Sequence, residues 1–184
     1  MDDFKLFELA GSNEAGDLKE SLRSGHNPNA IHTLFGNTLL KVACECDAID
    51  SIRVLLEAGA DPNLRFTFTS PISGAVLSDR VALMYAKSAQ SVNLLHSHGA
   101  EINVADGEGW TPLAIAVDGV RIDAVAALLA LGASRSLSGR ISKDFTDVQE
   151  LCDDRLKMLT AFGDPRKAAP MIQDLKALRD MVSD

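Results

Sequence analysis

Residues 52–63 read IRVLLEAGADPN, and the phrase returns three more times. It stands as LKESLRSGHNPN at 18–29, VNLLHSHGAEIN at 92–103 and VAALLALGASRS at 125–136. In each copy an apolar stripe at helical spacing stops one turn before a glycine, and three of the four then continue to Asn. A glycine just past such a stripe suits the left-handed residue that ends a helix. Gly25, Gly59, Gly99 and Gly132 lie 34, 40 and 33 residues apart, a period that belongs to repeat architectures.

A second phrase precedes the stripes. GWTPLAIA at 109–116 places Thr111 where it can cap a first helical turn and Pro112 where a helix tolerates proline. GNTLLKVA at 36–43 repeats it with Leu39 in place of the proline. The unit is therefore a turn, a short helix, a tight loop, a second helix and a glycine. One helix pair cannot bury its own apolar face, whereas stacked pairs can.

These residues resemble the ankyrin repeat family. Thr111, Pro112, Leu113, Ala116, Leu128, Leu129, Gly132 and Ala133 carry the resemblance in one copy. Thr38, Leu40, Ala43, Leu55, Leu56, Gly59, Ala60, Asp61 and Asn63 carry it in another. Lys41 and Ala114 stand where the family usually has histidine. The resemblance implies an all-α repeat solenoid of stacked helix pairs with β-hairpin fingers on one side. It covers roughly residues 4–163: an N-terminal cap at 1–33, repeats at about 34–68, 69–105 and 106–139, and a degenerate C-terminal cap at 140–163. In the first cap Phe4, Leu6, Phe7 and Leu9 share one helix and Leu18 and Leu22 the next; in the last, Phe145, Val148, Leu151, Leu156 and Leu159 form the apolar set. Residues 164–184 are an extension. Pro165 and Pro170 are expected to break the chain before a last amphipathic helix carrying Met171, Leu175, Leu178 and Val182. That helix either covers the end of the stack or meets a partner.

The 40-residue spacing between Gly59 and Gly99 needs an account. One alignment gives the cap-and-helix phrase to Ser70, Pro71, Ile72 and Ala75; another gives it to VALMYA at 81–86, followed by a shortened second helix from Gln90 to His98. The second is preferred, because it avoids a long insertion in the middle of a repeat. Residues 64–80 then form an enlarged finger near the centre of the chain. Phe66, Thr67, Phe68 and Thr69 alternate with period two, Ser70-Pro71 and Ser73-Gly74 are turn chemistry, and Ala75 to Leu77 return as a second strand. One face of that finger packs on its neighbours, or its aromatic tip reaches a partner, or both.

Composition narrows the function. The chain has 184 residues, 46% of them hydrophobic, and a net charge of −8. Acidic residues exceed basic ones in most segments, which argues against nucleic acid and favours a basic protein partner. MDDFKLFELAGS at the start has neither the basic opening nor the apolar run of a secretory signal, and no stretch approaches a membrane span. A cytoplasmic protein with no membrane partner, monomeric when free, is expected. Cys44, Cys46 and Cys152 read as free thiols. The glycines follow the repeat and are no phosphate loop. His96 and His98 diverge on a helix, and His26 and His32 lack companions at ligand spacing, so no metal or cofactor is expected. Asp153 and Asp154 read as the acidic start of a helix. No grouping resembles a catalytic site.

Protein binding remains. From the family's variable positions, the expected surface is Phe35, Asn37 and Glu45, then Phe66, Thr67, Phe68 and Thr69 on the long finger, then Glu108, Trp110 and Asp118. Trp110, the only Trp, is the leading anchor, although it could instead pack on an adjacent finger. Glu45, Asp47, Glu108 and Asp118 are expected to add a negative field. A solitary stack with no attached domain would act by covering something, so a stoichiometric inhibitor, such as an immunity protein neutralising a cognate bacterial toxin, is expected. The competing expectation is an adaptor, or an effector that targets a host protein without inhibiting it.

Overall fold

A computed structural model describes residues 3–70, 74–141, 144–162 and 165–183. Pro71, Ile72 and Ser73 of the expected turn, and Ser142 and Gly163 of the expected C-terminal cap, lie outside the described residues. The chain divides into two compact units, residues 1–101 and 102–184.

The first unit contains α1 (Asp3–Ser12), α2 (Ala15–Arg23), α3 (Leu39–Glu45), α4 (Ile49–Glu57), β1 (Phe66–Thr69), β2 (Val76–Arg80), a 3-10 turn (Ala82–Tyr85) and α5 (Ala89–Ser97). First helices pack in a row, α1 on α3 and α3 on the 3-10 turn; second helices form another row, α2 on α4 and α4 on α5. Leu9, Leu18, Leu39, Ile52, Leu55 and Leu95 fill the space between the rows and are sealed from solvent. Each such side chain contributes about 1.5–3 kcal/mol by leaving water.

The second unit contains α6 (Pro112–Asp118), α7 (Ile122–Ala130), α8 (Val148–Phe162) and α9 (Pro165–Ser183). Helix α6 packs on α7 and α8, and α9 lies on α7 and α8. Ala168, Leu175, Leu178 and Val182 are the buried face of α9.

The recurring phrase has a physical meaning at both ends. Gly59, at φ 89°, ends α4. Its N–H donates to the Leu56 carbonyl at 3.0 Å and that of Ala60 to the Leu55 carbonyl at 2.9 Å, so the last carbonyls of the helix are satisfied. The Asn four residues on is a bridge. Asn63 donates Nδ2 to the Gly99 carbonyl (2.8 Å), and its Oδ1 accepts the Glu101 N–H (2.9 Å). Asn29 does the same to Gly59 (3.2 Å) and Asp61 (2.7 Å), and Asn103 to Gly132 (3.4 Å) and Ser134 (2.7 Å). The fourth copy ends in Ser136, which pairs instead with Asp147 in an isolated bridge.

Four expectations change. Helix α9 starts at Pro165 and runs through Pro170 without a break. A proline inside a helix costs about 3 kcal/mol or more, and the buried face of α9 offsets it. The shortened element between Gly59 and Gly99 is the first helix. The 3-10 turn has 4 residues, whereas α5 has 9, the same as α4. Strand β2 holds the chain up to Arg80, and Ser88 already caps α5 in a reciprocal box with Ser91, so little chain is left between them. The returning strand is accordingly longer than expected, Val76–Arg80. Finally, Asp153 and Asp154 lie within α8; its start is held by Asp147, whose Oδ1 accepts the N–H groups of Gln149 (2.9 Å) and Glu150 (3.0 Å).

Candidate protein-binding surface

The turn at 31–38 is built around one imidazole. Ile31 and Thr38 form an antiparallel bridge. The His32 N–H donates to the Asn37 carbonyl (2.7 Å), and the Gly36 N–H donates to that of His32 (2.8 Å). The His32 Nδ1 faces the N–H groups of Leu34 (3.2 Å) and Phe35 (3.4 Å), so it acts as acceptor. The ring is 4% exposed, with Phe4, Phe7 and Phe35 centroids 4.9, 4.9 and 4.7 Å away. Outside this frame sits an apolar patch: Leu34 is 73% exposed, Phe4 55%, Phe35 48% and Ile31 47%. Of these four, sequence reasoning placed only Phe35 on the binding surface. The string Ile31-His-Thr-Leu-Phe35, apolar within a turn, was the available signal.

Behind the turn, Gly36 presses on β1. A Cβ there would overlap the Thr67 carbonyl oxygen, and φ is +68°. Strands β1 and β2 pair antiparallel, Phe66 with Arg80, Phe68 with Leu77 and Thr69 with Val76, with an irregularity between Phe66 and Phe68. The structure turns Phe66 and Phe68 inward, buried beside Tyr85 at centroid distances of 6.0 Å each. The exposed face of β1 is Thr67 and Thr69, and Val76 of β2 is 65% exposed. Period two predicts the alternation but not which face meets the core.

In the second unit the turn at 104–111 closes on Asp106, whose Oδ1 accepts the N–H groups of Glu108 (2.9 Å) and Trp110 (2.8 Å). Trp110 is half-buried there. A groove of about 400 Å³ opens among Asp118, Val120, Arg155, Met158, Leu159, Met171 and Leu175.

Three of the four acids of the expected negative field are ion-paired. The Lys41 Nζ lies 2.6 Å from a Glu45 oxygen, Arg140 pairs with Glu108 at 3.1 Å, and Arg155 pairs with Asp118. Asp47 accepts a 2.8 Å hydrogen bond from the Ser88 hydroxyl. Arg140 and Arg155 are remote in sequence from their partners, so charge counting along the chain misses both pairs. Asn37 is half-buried.

Two of the three cysteines are buried. Burial, with Asp47 nearby, pushes the Cys44 thiol up. Burial and then Asp153, opposed by Arg179, raise Cys152 to about 11. A thiol so raised is a poor nucleophile at neutral pH. Cys46 is exposed. Among the described residues no group of three or more His, Cys, Asp or Glu is placed to hold a metal ion, and no helix is long and apolar enough to cross a membrane.

Comparison with known proteins agrees with the repeat. The family model described as Ankyrin repeat matches residues 35–65. The chain is 29% identical over 143 residues to the human Transient receptor potential cation channel subfamily A member 1, covering 76% of this chain and 12% of that protein. It is 31% identical over 103 residues to the E3 ubiquitin-protein ligase KEG of Arabidopsis thaliana, covering 55% of this chain and 6% of the relative. It is 28% identical over 100 residues to the Glycerophosphocholine phosphodiesterase gde1 of Schizosaccharomyces pombe, covering 54% and 8%. The chain thus spans a small part of the curated relatives it matches. Residues 35–65 thus match an ankyrin repeat, and ankyrin repeats are protein–protein interaction modules, generally without catalytic activity.

Proposed function

We propose that the chain is a non-catalytic, stoichiometric inhibitor that covers a functional surface of a protein partner, as an immunity protein covers a cognate toxin. The observation that carries this reading is the patch of Phe4, Ile31, Leu34 and Phe35 held over the buried His32 ring. Exposed aromatic and aliphatic groups on a rigid frame can bind without a large ordering cost. On this reading the hairpin formed by 66–69 and 76–80 is an enlarged finger, offering Thr67, Thr69 and Val76 beside the patch. In the second unit Glu108, Trp110 and Asp118 offer a surface of their own, and α9 serves as a lid on the last helices. A net charge of −8 favours a basic partner over nucleic acid. We place the chain in the cytoplasm as a monomer when free.

The test is capture of partners from native cells with the parent chain and with a folded Leu34→Ala/Phe35→Ala variant. A single partner lost in the variant, whose own activity falls to zero at one equivalent of the parent chain, is the expected result. A partner that stays active in the complex overturns inhibition and leaves the adaptor. The groove beside Met158 and Met171 favours that second reading, because it offers another surface; an adaptor would keep a partner there after the double substitution.

A further inference from the structure

Lys41 is the side chain the binding reading leaves unused. It stands inside α3, is 3% exposed, and extends its ammonium into the space between two rings. Its Nζ lies 4.8 Å from the Phe68 centroid and 4.8 Å from that of Tyr85. Phe66 packs beside both rings, 6.1 Å from Phe68 and 6.0 Å from Tyr85. The Glu45 carboxylate, on the same helix and half in solvent, approaches the ammonium to 2.6 Å. A lysine is rarely buried unless paired. One carboxylate cannot satisfy all three ammonium protons; the negative faces of the rings supply the remaining attraction.

We propose that Phe68 and Tyr85, backed by Phe66, form a clamp for an alkylammonium group, with Glu45 as its counter-ion, and that Lys41 is its resident ligand. The rings come from β1 and from the 3-10 turn, whereas the cation and its counter-ion come from α3. The clamp therefore joins three elements at one point. The hairpin needs such an anchor. Two strands of 4 and 5 residues are marginal by themselves, and their register is broken between Phe66 and Phe68. Asp79 adds a left-handed residue at φ 57°. A neutral side chain of similar length would fill the volume but would not draw the rings around a charge.

The inference concerns how the hairpin is held, and its test needs no partner, so it stands or falls apart from the inhibitor reading. Amide hydrogen exchange in the full chain should separate the hairpin, 66–69 and 76–80, from α4. Lys41→Met should speed hairpin exchange about tenfold or more, the order expected for a desolvated cation–π contact, with α4 unchanged. Lys41→Arg should keep the parent rates. Hairpin rates in Lys41→Met equal to the parent would overturn the clamp, as would a uniform loss across both regions. In Lys41→Ala, n-propylammonium chloride should restore protection where 1-propanol at the same concentration does not. Equal rescue by the alcohol, or by neither, would mean an apolar hole and no cation site. If Lys41→Ala does not fold, the Met and Arg variants decide alone.

Discussion

The turns at 31–38 and 104–111 share a frame and differ in what they display. Each places an acceptor at its base, the His32 Nδ1 or the Asp106 Oδ1, to take two backbone N–H groups. Each ends on a threonine that caps the next helix, Thr38 for Lys41 and Thr111 for Ala114. Each has a left-handed glycine against the backbone of a later segment, Gly36 on Thr67 of β1 and Gly109 on Ser138. Between acceptor and glycine, however, the first turn carries Thr33, Leu34 and Phe35, and the second Gly107 and Glu108. One extra residue and two apolar side chains make the first an apolar patch. The second offers a glutamate already paired with Arg140. A repeat fixes how a loop is held and leaves its outward chemistry free.

Breaking the shared frame should have the largest effect. Gly36→Ala and Gly109→Ala each force a Cβ onto a carbonyl oxygen at positive φ, and each should cost about 3 kcal/mol or more in denaturant unfolding. Gly16→Ala, where the added carbon meets nothing within 4 Å inside α2, should gain up to about 1 kcal/mol. If all three behave alike, close approach is not the reason for the turn glycines.

Removing the acceptors comes next. Asp106→Ala and His32→Ala should each cost about 2 kcal/mol, the scale of stranding backbone donors. His32→Ala should lose about 0.5–1.5 kcal/mol more through its ring contacts. Equal losses in the two variants would show that the aromatic surround of His32 adds nothing.

A smaller and opposite effect is expected at Val120. It occupies the loop between α6 and α7 at φ 52°, where the corresponding loops of the first unit carry Asn13 and Asp47 at φ 62° and 53°. Asn13 and Asp47 also use their side chains, Asn13 on the N–H groups of Asp50 and Ser51 and Asp47 on the Ser88 hydroxyl. A β-branched residue strains that conformation, so Val120→Asn should raise stability by about 1 kcal/mol. A lower melting temperature would mean that the valine side chain repays its strain in the groove.

Least of all, Leu34→Ala should change stability by no more than about 0.5 kcal/mol, because its side chain is mostly in water. Partner affinity should nonetheless fall about tenfold or more if the patch is the anchor. A large stability loss instead would make Leu34 part of the core and remove the contrast between the two turns.

Sequence by itself determined the elements whose causes are local. The glycine turns, the threonine caps, the 66–69 alternation and the family resemblance were all legible, because helix ends and strand faces are set by neighbours a few residues away. It also named Phe35, which the structure exposes, and Lys41, which departs from the family pattern. Tertiary structure alone decided the rest. Whether Phe66 and Phe68 face a partner or Tyr85 depends on which side of β1 meets the core, and a period of two is silent on that. The pairing of Glu108 and Asp118 depends on arginines 32 and 37 residues further along the chain. Phe4 joins Leu34 and Phe35 only because α1 brings its ring to His32. The asparagine bridges explain a motif that could be seen but not understood in one dimension, since each amide is satisfied by the next repeat. Local chemistry sets where the chain turns; which side chains end up facing one another depends on packing between segments far apart in sequence.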